Sequence, residues 1–372
     1  MRILTSLPLL AVVILLLLEQ QGGIDGLVLN KAAPSGATEG SPAILLTGCG
    51  NGVGYEACKE FLRRGCRVWA NARSEERKEE ILRRLGEDDD DGFDFSPAML
   101  TLGTADLASL GSIKSYVSDL GESGVRFDSV CFNAGLAKGL SQKTVTRTKD
   151  GFEETFGVNH VAHFAMLEYG LKDMLSKEGC RIVVTASGVH DPESPGGKQG
   201  KGATLGNLEG LVSQGKSCQM LDGGEYDPDK AYKDSKLCNV LFTKECQRRY
   251  ATLGGSGQSL TTVNCLSPGL IVSSGLFREQ NKIFTKIFDI AATNLFRVGE
   301  TQKWGGGALA YLALSENLPS GNAGGLFYAA DPGDSKYGEA AYGEQFRPRP
   351  ISKEAQDTEK GEKLWELTKE LI

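Results

Sequence analysis

The sequence predicts an α/β fold: a doubly wound parallel sheet with helices on both faces, forming a single domain with an insertion and a C-terminal helix. Three observations carry this. Short apolar runs at residues 43–46, 67–71, 129–132 and 181–185 lack the alternation of half-exposed strands, as strands buried on both faces should. Helical stretches separate them, over 54–64, 113–120 and 158–174, giving the β-then-α order of parallel sheets. The first run ends in a glycine-rich loop, Thr47-Gly48-Cys49-Gly50-Asn51-Gly52-Val53-Gly54, that opens the first helix.

Taken in order, the chain starts with Met1-Arg2-Ile3 and an apolar run over 7–18, followed by Glu19-Gln20-Gln21-Gly22-Gly23. A short basic start and an apolar run below the roughly 20 residues of a bilayer span describe a secretory-type signal or a monotopic anchor. Residues 1–23 are therefore set apart from the fold, with 24–40 as a linker. The main body runs over 41–335. Within it, the acidic run at 88–91 reads as a solvated loop. Residues 336–372 form a C-terminal segment, in which Leu364, Leu367 and Leu371 recur at helical spacing and predict an amphipathic helix over 353–371.

Of 372 residues, 40% are hydrophobic and 24% charged, which excludes disorder and allows one sizeable core. The formal charge is −7 and no Lys/Arg block is long enough to follow a phosphate backbone, so nucleic acid is not an expected partner. Nine cysteines form no C-x-x-C pair and have no Cys/His spacing suited to zinc. They read as reduced core thiols, and no metal site is expected; His160 and His163, one helical turn apart, read as core groups. Glycine is in excess, at 48 residues against an average near 7%. Many backbone positions must therefore face special demands.

The glycine loop is one such place. A dinucleotide pyrophosphate meets the helix N-terminus there, and a side chain would keep the backbone from approaching it. Nineteen positions past Gly54, directly after the second strand, stands Arg73. An NAD site places an acid at that point, whereas a guanidinium suits a 2′-phosphate, so the expected cofactor is NADPH.

The chemistry gathers around Tyr232-Lys233-Asp234-Ser235-Lys236, which puts a phenol and an ammonium one helical turn apart on one face. Phenol is a poor acid–base group at neutral pH, and a nearby cation favours its ionised form. Ser187 after the 181–185 strand, Asn133-Ala134-Gly135 after the 129–132 strand, and Asn159 complete the set. Strand carboxyl ends are where open α/β sheets bind ligands.

With T-G-x-x-x-G-x-G, Asp106-Leu107, N-A-G, Asn159, Ser187 and Y-x-x-x-K in this order, the chain resembles the short-chain dehydrogenase/reductase family over roughly 41–335, which implies a Rossmann fold. The resemblance implies that Tyr232 donates the proton, Lys236 lowers its pKa and holds the ribose, Ser187 orients substrate or tyrosine, and Asn159 supports a proton relay. It further implies that Asp106 and Leu107 flank the adenine, that Asn133 braces the central strand, and that Pro268, Gly269 and Ser273 (or Ser274) meet the nicotinamide carboxamide. Thr47, Gly48, Asn51, Gly52, Val53, Gly54, Arg73, Ala134 and Gly135 complete the cofactor set.

Ser187 and Tyr232 stand 45 positions apart, longer than the family's usual interval, so an insertion borders the site. Its Asn207-Leu208-Glu209-Gly210-Leu211 and Met220–Tyr226 stretches, with Gly275-Leu276-Phe277-Arg278-Glu279 and Trp365-Glu366-Leu367, resemble the light-dependent protochlorophyllide oxidoreductases. That resemblance implies light-driven reduction of the C17=C18 bond of a tetrapyrrole and a plastid location reached through the N-terminal signal. Two places depart from it: Leu270 stands where those enzymes carry cysteine, and Gly135-Leu136-Ala137-Lys138 replaces their A-V-Y-x-P stretch. The alternative is a light-independent NADPH-dependent reductase of retinal-like or steroid-like carbonyl compounds, at the ER membrane. Membrane-surface association and oligomerisation stay open on either reading.

Overall fold

The computed structural model describes residues 40–88, 93–176, 179–250, 261–271, 299–316, 318, 324–331, 338 and 341–372. The signal or anchor segment, nearly all of the linker, Ser273, Ser274 and the 275–279 stretch lie outside the described residues.

In chain order the larger elements are β1 (Ala43–Leu46), α1 (Gly52–Arg63), β2 (Arg67–Ala72), α2 (Glu75–Gly86), β3 (Leu100–Thr104), α3 (Leu110–Glu122), β4 (Ser129–Phe132), α4 (Glu154–Phe156), α5 (Ala162–Glu168), β5 (Cys180–Thr185), α6 (Glu209–Gln214), α7 (Pro228–Tyr250), β6 (Thr261–Leu266), α8 (Gln302–Leu314), β7 (Phe327–Ala329), β8 (Arg347–Pro348) and α9 (Thr358–Glu370). The sheet order is β3-β2-β1-β4-β5-β6-β7-β8, and every pairing is parallel except the last. The chain order reverses between β1 and β4, which opens a crevice at their carboxyl ends.

The central strands are apolar throughout because both faces are covered. Ala43, Ile44, Leu45 and Leu46 in β1, and Val130, Cys131 and Phe132 in β4, are wholly buried. One core layer packs α3, α5, α7 and α9 on one face, and the other packs α1, α2 and α8 on the opposite face. The C-terminal helix belongs to the first layer: Trp365 stacks on Phe242 of α7 at 5.7 Å and meets Phe164 of α5 edge-on at 4.8 Å. All nine cysteines are buried and free.

Two sequence expectations change. The helix expected over 158–174 is not continuous: a π-helical turn, Gly157–Val161, joins α4 to α5, and a 3₁₀ turn, Leu171–Met174, follows. The acidic run is not merely solvated at its first residue. Both carboxylate oxygens of Asp88 accept from the buried Lys59 ammonium at 2.8 Å, and one accepts from the Tyr55 hydroxyl at 2.9 Å.

The insertion is also more ordered than a loop of glycines suggests. It contains α6 and sends Ala203, Leu205, Leu208, Leu211, Cys218 and Leu221 into the main core. Two buried lysines of α7 hold it. Lys230 donates to the Thr204 carbonyl at 2.8 Å and pairs with Asp222 at 2.9 Å and Asp234 at 2.6 Å. Lys233 pairs with Asp229 at 2.6 Å and donates to the carbonyls of Gln199 and Lys201.

Candidate active site

The cofactor side begins at Thr47, the residue after β1. Its buried hydroxyl oxygen accepts from the backbone N–H of Asn133 at 2.9 Å and of Ala134 at 3.0 Å. Asn133 answers with its amide, which donates to the Thr47 carbonyl at 3.1 Å while its side-chain oxygen accepts from the Thr185 hydroxyl at 3.2 Å. Three strand ends, β1, β4 and β5, are thus tied together by two polar side chains.

The loop that follows is shaped for close approach. Gly48 has φ +77°, and a Cβ there would press on Ala134. A Cβ on Gly54 would collide with the Gly48 carbonyl oxygen, so only glycine lets α1 start this close to β1. Asn51 caps α1 without a side-chain hydrogen bond, which leaves the first-turn N–H groups of Gly52, Val53 and Gly54 without a side-chain acceptor. That is a site suited to a pyrophosphate. Arg73 is exposed just past β2. Asp106 sits after β3, where its carboxylate accepts from the Ala108 N–H at 3.1 Å and pairs with Lys149 at 3.0 Å, with half-buried Leu107 beside it. Loop geometry and charge therefore fit a 2′-phosphorylated dinucleotide.

Sequence reasoning missed three groups here. Arg77 and Arg84 of α2 both donate to the Gly50 carbonyl, at 3.0 and 2.7 Å, and place two cations on the loop. Asn71, a buried polar residue in an apolar strand, accepts from the Gly48 N–H at 3.3 Å and donates to the Ala105 carbonyl at 3.0 Å. Its polarity at a strand end was the available signal; nothing in the spacing of the arginines marks them.

On the catalytic side, α7 presents Tyr232 and Lys236. Ser187 hydrogen-bonds the Tyr232 phenol, which favours ionisation, but burial outweighs it and pushes the phenol above its ordinary range. Lys236 Nζ lies 5.5 Å from the Tyr232 ring centroid and donates to the Thr185 carbonyl at 3.0 Å. Burial lowers its pKa to about 8. Asn239, one turn on, donates to the same carbonyl at 3.1 Å. Asn159 lies in the π turn, where its amide donates to the Leu136 carbonyl at 2.9 Å and the Ser235 hydroxyl at 3.0 Å, and its oxygen accepts from the Leu136 N–H at 2.8 Å. Gly135 packs between them: a Cβ there would stand 3.1 Å from the Asn159 oxygen and 3.6 Å from Lys236 Nζ.

Pro268 and Gly269 follow β6, with Gly269 at φ +87°, and the Ser267 hydroxyl accepts from the Gly188 N–H at 3.2 Å. The structure thus brings Tyr232, Lys236, Ser187 and Asn159 to one edge of the sheet beside the glycine loop. Among the described residues no group of three or more His, Cys, Asp or Glu could hold a metal.

A family profile described as short chain dehydrogenase matches residues 42–198. The protochlorophyllide reductase of Cucumis sativus, described as chloroplastic, is 30% identical over 355 residues, covering 92% of this chain and 81% of its own. The chain belongs to the short-chain dehydrogenase family. As a short-chain dehydrogenase it is an NADPH-dependent oxidoreductase acting on a small molecule. Protochlorophyllide reductase B of Oryza sativa subsp. japonica is 28% identical over 361 residues, covering 95% of this short-chain dehydrogenase and 83% of its own chain. Among solved structures, an uncharacterised protein from Mycobacterium paratuberculosis superposes with a TM-score of 0.59 at 24% identity, over 90% of this chain and 94% of its own. An NADP active-site complex of RhlG from Pseudomonas aeruginosa gives 0.51 at 19%, over 76% and 93%. These two likenesses concern the fold.

Proposed function

We propose that this enzyme reduces the C17=C18 double bond of protochlorophyllide in a light-driven reaction within a plastid. The observation that supports this most is the span of the likeness. It covers more than nine-tenths of the chain, a longer span than the 41–335 body alone. Two further features suit a large, flat, apolar substrate: the loops after β4 and β6 expose Leu140 and Leu270 at the carboxyl edge of the sheet. We assign residues 1–23 to a signal or anchor, 24–40 to a linker, 41–335 to the reductase body and 336–372 to a C-terminal segment.

Bound NADPH supplies the hydride that C17 of the light-excited pigment takes up. Tyr232 holds the proton that C18 receives; its raised pKa keeps the phenol protonated at neutral pH, so it is an acid ready to give rather than a base. The Ser187 hydroxyl, hydrogen-bonded to that phenol, stabilises the phenolate left behind. Lys236, anchored on Thr185, keeps a positive charge beside the ring and lies where a ribose would meet it. Thr47, Asn133 and the α1 N-terminus fix the cofactor end, so hydride source and proton source approach the bond from one crevice.

The test is one absorbance experiment on purified protein with NADPH and protochlorophyllide. Conversion to chlorophyllide after a flash and none in darkness supports the proposal. No conversion in light, with steady dark oxidation of NADPH by an apolar aldehyde or ketone, overturns it in favour of carbonyl reduction.

A further inference from the structure

His163 is wholly buried on α5, stacked on Phe132 of β4 at 4.9 Å, and both of its ring nitrogens have partners. Nδ1 lies 3.2 Å from the Asn159 carbonyl oxygen, which can only accept, so Nδ1 carries the proton. Nε2 lies 3.0 Å from the Thr47 hydroxyl. In a neutral ring whose Nδ1 is protonated, Nε2 must accept, so the Thr47 hydroxyl donates to it. Burial and the nearby Lys236 charge keep the ring neutral, with its pKa lowered to about 3.

The partners of these two residues extend the chain in both directions. Thr47 holds the backbone of Asn133 and Ala134 and begins the glycine loop. Asn159 holds Leu136 and, through its amide, the Ser235 hydroxyl, which donates to the Tyr232 carbonyl at 2.7 Å. The imidazole joins the cofactor-side and α7-side parts of this path.

We propose that His163 is a positioning residue that couples the cofactor loop to the proton-delivering helix, its Nε2 setting Thr47 and its Nδ1–H setting Asn159. The NADPH dependence rests on the family assignment; the pigment reading is not needed. The two nitrogens do separate jobs, so substitutions that keep one at a time separate them. Asn places an amide near Nδ1, and Gln places one near Nε2.

The experiment titrates NADPH fluorescence on full-length His163→Phe, His163→Asn and His163→Gln, alongside turnover of protochlorophyllide in light. Loss of one buried hydrogen bond corresponds to about a fivefold to tenfold change. His163→Phe should weaken NADPH binding about tenfold, with His163→Asn equally weak and His163→Gln within about threefold of wild type. Turnover at saturating NADPH should show the reverse order, Asn exceeding Gln. Equal NADPH affinity in all four proteins, or equal losses in Asn and Gln, overturns the proposal. If a variant does not fold, ¹⁵N NMR of the histidines in the wild-type protein decides: an Nδ1-protonated tautomer that does not titrate between pH 5 and 8 supports it, and an Nε2-protonated ring overturns it. Wild-type protein that binds NADPH but converts no pigment overturns the pigment reading and leaves the affinity series as the test of His163.

Discussion

The glycine loop and the insertion flank the same crevice but are built by opposite means. The loop is held mostly by neutral side chains and backbone, namely Thr47, Asn71, Asn133 and glycines that admit no Cβ, with Arg77 and Arg84 reaching its Gly50 carbonyl from α2. The insertion is held largely by charge, with Lys230 and Lys233, themselves paired within α7 to Asp234 and Asp229, reaching across to the Asp222 carboxylate and to the carbonyls of Thr204, Gln199 and Lys201. Neutral hydrogen bonds hold the loop's backbone, while the two arginines add positive charge to a loop that must meet a highly charged cofactor. Buried ion pairs, whose loss leaves uncompensated charge, give the insertion an all-or-none attachment.

The sharpest break between the two halves is Tyr232→Phe, which removes the proposed proton source without touching the loop. Turnover should fall by about 10³-fold or more with NADPH affinity unchanged, as read by steady-state kinetics and cofactor fluorescence. Next is Lys230→Met, which strands Asp222 and Asp234. It should cost about 3 kcal/mol of stability and make the insertion the first site of limited proteolysis, measured by denaturant melts and peptide mapping. Arg73→Ala acts on the other half alone: NADPH should lose about tenfold in kcat/KM while NADH is unchanged, because only the 2′-phosphate is lost as a partner.

The smallest effect is a pH limb. Lys236 titrates near 8 rather than at the ordinary 10.5, so kcat/KM should decline above pH 8 as its charge is lost, while Tyr232 stays protonated. Stability moves the other way: between 8 and 10.5 the unfolded chain binds more protons than the folded one, so the burial cost present below pH 8 fades as pH rises. Opposed trends in activity and thermal stability over that window would identify Lys236; parallel trends would point to another group.

The same contrast explains what was legible in the sequence. β1 and β4 match the apolar runs residue for residue, because a doubly buried strand writes its whole length in apolar side chains. Tyr232, Lys236, Ser187, Asn159 and the loop glycines sit together as their order suggested, since each occupies a strand end or the facing helix. The π turn at Asn159 left no such mark, because one added residue in a helix does not disturb a hydrophobic stripe. Arg77, Arg84, Lys230 and Asp88 look like ordinary surface charges in one dimension. Their roles come from partners 27, 34, 26 and 29 positions away, which only the tertiary fold supplies.

The nine buried thiols carry one more consequence. Burial raises Cys66 and Cys265 to about 12 and pushes Cys58, Cys238 and Cys246 well above their ordinary value, so almost none is thiolate at physiological pH. Disulfide exchange and peroxide attack both proceed through the thiolate. Once folded, the enzyme is therefore chemically deaf to the redox poise of its surroundings, and its period of vulnerability is confined to the time before the core closes.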